Sequence, residues 1–193
     1  MRAIVGADGR GRCPWGATDP LLRDYHDSEW GVPAAGEQAY FERLSLEAFQ
    51  AGLSWKTVLI KRPQLRVAFR GFAVDEVATM PDNDLEALLK DPGVIRNRAK
   101  IFAIRHNAQA VVGLRSHGGL VELIEAHRPA ESPMHTDSEE VAPITAASTA
   151  LSKSLKGAGL KFVGPTTSQA LIEALGLIDP HLIGCHRRDS SPR

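Results

Sequence analysis

The segment TAASTALSKSLKGAGLKFVGPTTSQALIEAL, residues 145–175, reads as two helices on either side of a glycine-bearing turn. Thr145–Lys156 and Thr166–Leu175 are the predicted helices, joined by the run from Gly157 to Pro165. The same helical periodicity extends upstream. In 37–51, Tyr40, Phe41, Leu44, Ala48 and Ala51 recur at three- and four-residue spacing, and Trp55–Phe69 continues in that style. Val74–Leu89 predicts two short helices, with Asp75 at the start and Pro81-Asp82 as the break between them. Ile95–Leu114 predicts one long helix with Ile101, Ile104, Ala108 and Val111 on one face. Residues 128–143 are rich in Pro, Glu and Ser and predict a long loop. No useful alternating strand pattern and no internal repeat is present, so the expected fold class is all-α. Residues 13–186 are expected to form one domain, with disorder over residues 1–12 and over the tail 187–193.

At 193 residues, with 43% hydrophobic and 24% charged, the composition is that of a globular chain with one core. No stretch approaches the roughly 20 apolar residues of a membrane span, and the first twelve residues lack the apolar core of a signal peptide. A cytoplasmic location without membrane contact is expected. The 23 basic and 23 acidic residues balance, which argues against a purely nonspecific nucleic-acid binder. Basic clusters at Lys56, Lys61, Arg62, Arg66 and Arg70, and at Arg96, Arg98, Lys100 and Arg105, read equally well as solvated helix faces.

All three tryptophans (Trp15, Trp30, Trp55) and both tyrosines (Tyr25, Tyr40) precede residue 56. Such crowding fits the main core, and it fits equally a pocket that recognises a flat ring by stacking. The two cysteines, Cys13 and Cys185, are too few for a disulfide framework. Twelve residues lie between Cys13 and His26, and three between His181 and Cys185. A His–x3–Cys pair on one helical turn aims both side chains at one point. Together the four fill a tetrahedral Cys2His2 set, which leaves no open position for water and implies a structural metal. Spacing alone equally permits two unrelated cysteines and two ordinary histidines, with His186 a rival ligand.

Several runs are more specific. They are Cys13-Pro-Trp-Gly, Asp19-Pro20-Leu21, Tyr25-His-Asp-Ser-Glu-Trp-Gly-Val-Pro33, Leu46-Glu-Ala-Phe-Gln-Ala-Gly-Leu-Ser-Trp55, Gly93-Val-Ile-Arg-Asn-Arg-Ala-Lys-Ile101, Leu160-Lys-Phe-Val-Gly-Pro-Thr166 and His181-Leu-Ile-Gly-Cys185. In order and without large gaps, from about Cys13 to His186, they resemble the 3-methyladenine DNA glycosylase I family. The resemblance implies a helix–hairpin–helix DNA glycosylase fold and one structural zinc per chain, on Cys13, His26, His181 and Cys185. It implies action on double-stranded DNA containing alkylated bases, and separately a monomer is expected.

The same resemblance implies the site. Trp15, Tyr25 and Trp55 are the expected stacking walls for a flipped base, and Glu47 is the expected pocket carboxylate and catalytic residue. From the helix pattern alone Glu47 reads as a solvated residue. Gln50, one turn later, shares its face or supports it. No lysine stands where bifunctional relatives carry a Schiff-base lysine, since Pro165-Thr166-Thr167 occupy that place, and an enzyme without lyase activity is expected. DNA contacts are expected from backbone N–H groups near Gly157, Gly159, Phe162 and Gly164, with Lys161 adding charge, although a glycine-rich turn is also a common connector. Leu53 is the candidate wedge for the vacated stack. The family pattern usually has Tyr where Leu22 stands, which leaves three readings: a 3-methyladenine glycosylase, a glycosylase for a different or bulkier alkylated purine, and a non-catalytic zinc-stabilised DNA-binding module.

Overall fold

The computed structural model describes residues 1–190. Two short strands, β1 (Ile4–Val5) and β2 (Gly11–Arg12), precede helices α1 (Pro14–Ala17), α2 (Pro20–Ser28), α3 (Glu37–Gln50) and α4 (Trp55–Ala68). Then follow α5 (Val74–Ala78), α6 (Asp82–Leu88), α7 (Arg98–Leu114), α8 (Gly119–Glu125), α9 (Ala146–Gly157) and α10 (Pro165–Ala174). No helix among the described residues is long and apolar enough to cross a membrane.

The fold is mostly helical and is organised around α3. Tyr40, Phe41, Leu44, Leu46, Ala48 and Phe49 are all buried, so the helix is covered on nearly every side. A helix buried all round belongs at the centre of a core, and α3 packs against α4, α7, α8 and α10. Phe41, Phe49, Phe69 and Phe72 are fully buried and in ring contact, Phe69 stacked on Phe72, Phe41 edge-on to Phe72 and Phe49 tilted against Phe69. Each contributes roughly 2–3 kcal/mol of apolar burial.

The start signals explain where the elements begin. Asp19 caps α2 by accepting from Leu21 N and Leu22 N, with Pro20 at the first helical position. Asn97 accepts from Lys100 N at 3.1 Å, so α7 begins at Arg98 rather than Ile95. Asp75 lies within the first turn of α5 rather than capping it. Helices α1, α2 and α8, at four, nine and seven residues, are too short for the periodicity to announce them.

The last two helices pack on each other, and their connector is tied to α7. Asn107 donates to Lys161 O at 3.0 Å and accepts from Lys161 N at 2.8 Å. His106 Nε2 lies 2.9 Å from Gly159 O, and Ser152 donates to Val163 O at 2.7 Å. Gly159 (φ +87) and Phe162 (φ +59) both take the left-handed conformation that the tight connector demands.

The N-terminal residues differ from expectation. Instead of disorder, β1 and β2 pair antiparallel, Ile4 opposite Arg12 and Val5 opposite Gly11. Buried Arg12 bridges Asp8 and Asp27, and Gly11 O accepts from His186 N at 2.8 Å. Polar side chains and backbone hooks hold this hairpin, so apolar periodicity carries no trace of it. Of the expected C-terminal tail, residues 187–190 form turns and Arg188 donates to Pro133 O and His181 O, both at 2.8 Å. Residues 191–193 lie outside the described residues.

Candidate active site and metal cluster

Cys13 immediately precedes α1, His26 lies on α2, and Cys185 lies in the C-terminal turns. All three are buried, and their ligand atoms lie within 4.8 Å of one another. His26 Nε2 is 3.4 Å from Cys13 N and 3.5 Å from Cys185 Sγ, and Leu182 N donates to Cys13 Sγ at 3.4 Å. The hydrogen bond from Cys13 holds the Cys185 thiol well below its ordinary value, while the same contact and burial push Cys13 up.

His181 stands just outside this group, its ring 5.0 Å from that of His26. The two imidazoles are held alike. His26 Nδ1 is 2.8 Å from Asp27 Oδ1, and His181 Nδ1 is 3.0 Å from Asp179 Oδ1. Carboxylates on Nδ1 fix the ring so that Nε2 is the free nitrogen, the usual support around metal-bound histidine. His181 Nε2 is buried and has no hydrogen-bond partner, a state that polar atoms rarely tolerate. A cation bound there would satisfy it, and two cysteines with two histidines are a soft donor set suited to such an ion.

One element of the ligand geometry differs from expectation. His181 to Cys185 is not a helical turn: Cys185 N donates to Leu182 O and Gly184 takes φ +89, closing a loop turn beyond α10. His186, the rival ligand, points Nδ1 at Gly11 O (2.9 Å) and is not in the cluster.

Beside the cluster lies a cleft of about 330 Å³. Trp15 from α1, Leu22 and Tyr25 from α2, Trp30 from the turn after α2, Glu47 and Gln50 from α3, Ser54, Trp55 and Lys56 at the start of α4, and Ala170 and Glu173 from α10 line it. The cleft therefore gathers Trp15, Tyr25, Trp55, Glu47 and Gln50, every pocket residue expected from the sequence. Tyr25 and Trp55 are 5.1 Å apart between ring centroids, tilted by 54°, and Trp15 lies 6.2 Å from Tyr25. Trp15 also meets His26 edge-on at 5.3 Å, so one ring touches both the cluster and the cleft.

Glu47 is 5% exposed, and its Oε2 has no hydrogen-bond partner. Burial, with the charge of Glu173 added, pushes its carboxyl up to about 8. Trp55 Nε1 is likewise buried without a partner. The cleft thus presents two buried polar atoms, Glu47 Oε2 and Trp55 Nε1, that no other protein group satisfies. Tyr25 is pushed well above the usual phenol range by burial and then by Glu47. These polar groups sit among flat aromatic faces, an environment built for a planar, polar-edged and positively charged ring.

Trp30 and Glu173 were not anticipated. Trp30 packs T-shaped on Trp15 at 4.9 Å and meets His181 at 4.8 Å, and its place in Tyr25-His-Asp-Ser-Glu-Trp was the available signal. Glu173 carries no local signal, because α10 meets the cleft only through the tertiary fold. Gln169 Nε2 donates to it at 3.0 Å. The expected DNA contacts are not cleft residues. Leu53 tops the turn between α3 and α4 and is 41% exposed. Gly157 ends α9, Gly159 and Lys161 belong to the connector, and Gly164 precedes α10.

The sequence model of the methyladenine glycosylase family matches residues 15–188. The DNA-3-methyladenine glycosylase 1 of Escherichia coli K12 is 44% identical over 178 residues, covering 90% of this chain and 95% of that protein. The DNA-3-methyladenine glycosylase of Haemophilus influenzae is 40% identical over 178 residues, covering 90% and 96%. A crystal structure of 3-methyladenine DNA glycosylase I superposes with a TM-score of 0.88 at 38% identity, over 94% of this chain and 100% of that one. The Staphylococcus aureus enzyme, solved to explain 3-methyladenine recognition, gives 0.86 at 33% identity over 94% and 97%.

Proposed function

The chain belongs to the methyladenine glycosylase family, and we propose that it excises alkylated purines, chiefly 3-methyladenine, from double-stranded DNA in the cytoplasm, acting as a monomer without lyase activity. The observation that carries this reading is the unpartnered, buried Glu47 carboxylate inside an aromatic cleft. The enzyme reaches a base only after its nucleotide is flipped from the duplex. In the cleft, Trp15, Tyr25 and Trp55 cover the ring faces, and Glu47 accepts from the exocyclic amine.

N3-alkylation places positive charge on the purine, so the base is already a good leaving group. The N-glycosidic bond breaks with its electron pair moving to the purine, which departs neutral. Water adds to the sugar carbon and loses a proton, leaving an abasic site. Glu47 gains its charge partner as the cation enters, and burial makes that pairing worth far more than at the surface. Gln50 supports the same face. Pro165-Thr166-Thr167 offer no amine for a Schiff base, which supports release by hydrolysis alone.

Zinc is the ion we assign to the cluster, on Cys13, His26, His181 and Cys185, the buried and unsatisfied His181 Nε2 being its support. Four protein ligands close its coordination, so its contribution is a cross-link between the N- and C-terminal segments. Helices α9 and α10 with their connector serve as the helix–hairpin–helix element. The connector around Gly157, Gly159 and Gly164, together with the Lys161 side chain, holds the DNA backbone. The Gly159 and Lys161 N–H groups donate to Lys156 O and Asn107 Oδ1, so the donors toward phosphate are those nearer Gly164, at the start of α10. Leu22 on the cleft wall favours a second reading, a bulkier alkylated purine as preferred base.

Base release from methylated duplex DNA, compared between wild type and Glu47→Ala, tests the proposal. Release of 3-methyladenine by the wild type and its loss in the variant are expected. Absence of any released base from alkylated DNA would end it.

A further inference from the structure

Lys100 is 5% exposed, a burial that lysine seldom accepts. Among the described residues no carboxylate lies within ion-pair distance of its ammonium. Its Nζ donates instead to Phe49 O at 2.8 Å and Ala51 O at 2.5 Å. Burial lowers its pKa accordingly. These carbonyls end α3, where the helix dipole favours a cation.

The segment so held is a tight turn. Leu53 N donates to Gln50 O at 2.6 Å, Ala51 has φ −46 and ψ 111, and Gly52 has φ +80, the signature of a type II turn. Its far end is fixed by Ser54, whose Oγ accepts from Thr57 N at 3.2 Å. Gln50 and Ser54, on either side of the turn, both line the cleft. Leu53 is therefore an exposed apolar residue, between two residues that line the cleft, on a backbone clamped at both ends.

We propose that Lys100 is a positioning residue for base extrusion: it holds the turn so that Leu53 stands ready to fill the gap left in the base stack. The inference rests on the glycosylase reading above. A pre-ordered wedge costs little further ordering when the duplex opens, and an apolar side chain is the kind that enters an unstacked step.

Lys100→Met, Leu53→Ala and the double variant test this through three measurements. The first is free 3-methyladenine binding, read by quenching of tryptophan fluorescence. The second and third are excision from a fully paired duplex and from a duplex whose lesion is unpaired. Lys100→Met is expected to bind the free base within about twofold of wild type, yet to excise from paired duplex about tenfold more slowly, with a smaller loss on the unpaired lesion. Adding Leu53→Ala should cost little more. Equal losses of base binding and excision, no loss at all, or fully multiplicative losses would overturn the proposal. Should Lys100→Met not fold, Lys100→Gln, which keeps one donor, is read the same way, and failure of both to fold assigns Lys100 to the core and overturns the inference. A wild type that releases no base would instead defeat the glycosylase reading.

Discussion

Glu47 and Glu173, from helices far apart in the chain, line one cleft, and the charge of Glu173 adds to burial in pushing Glu47 to about 8. An ionised Glu47 without a charge partner is thus a source of instability. Its folded value lies above the ordinary 4.5, so the folded state holds the proton more tightly than the unfolded chain. The penalty is absent below about pH 4.5, grows as pH rises, and is complete above about pH 8. Its upper bound is on the order of 5 kcal/mol.

Glu47→Gln removes that penalty while removing the charge that receives the base. Excision should fall by about 100-fold or more. The melting temperature should equal that of wild type near pH 5 and exceed it increasingly at pH 7 and 9. A difference in melting temperature that does not vary with pH would contradict the assignment.

The same pair sets the pH dependence of the reaction. Ionised Glu47 is the form that receives a cation, so kcat/KM should climb with pH as Glu47 loses its proton. Glu173→Gln takes away the neighbouring negative charge and lets Glu47 ionise at lower pH. The rising limb of kcat/KM should then move toward acid, by roughly one pH unit. An unmoved limb would mean that Glu173 does not act on Glu47.

The cleft is legible mainly through the family resemblance that the runs holding Trp15, Tyr25, Glu47, Gln50 and Trp55 carry; helical periodicity alone makes Glu47 a solvated residue. Glu173 is not legible, since α10 reaches the cleft only by packing against α3. The two halves of the cluster were visible as residue types, but the turn carrying Cys185 depends on a left-handed Gly184 that no helical spacing reveals. The N-terminal hairpin reads as disorder in the sequence because its strands are two residues long and its anchor is a buried arginine. Helix α3 was plain from sequence because its apolar residues recur along its whole length.

One link from that hairpin to the cluster is the Asp27 carboxylate. Arg12 Nε lies 3.1 and 3.0 Å from the two oxygens of Asp27, and a further nitrogen donates at 2.8 Å. Although burial opposes ionisation, the hydrogen bonds from Arg12 and His26 hold Asp27 down at about 2. Asp27 in turn fixes His26. Arg12→Ala should therefore quicken metal loss to a chelator by about tenfold, as loss of a ligand's support commonly does, while leaving the starting stoichiometry at one ion per chain. Cys13→Ala should fail to retain the ion and should melt several degrees lower. Metal analysis with timed chelator release reads both, and a release rate indifferent to Arg12 would separate the hairpin from the cluster.

Leu22 bears on which base the cleft prefers. It lies on the wall together with Trp15 and Tyr25, where its side chain adds apolar volume but no hydrogen-bonding group. Leu22→Tyr adds an aromatic face and a hydroxyl and narrows the cleft. The variant should keep 3-methyladenine release within a few fold of wild type and lose larger alkyl adducts, changing the ratio by about tenfold, the scale on which pockets discriminate a few heavy atoms. Base-release profiling across methyl and larger alkyl purines measures that ratio directly. An unchanged ratio would remove Leu22 from the determinants of specificity and leave 3-methyladenine selection to Glu47 and the aromatic walls.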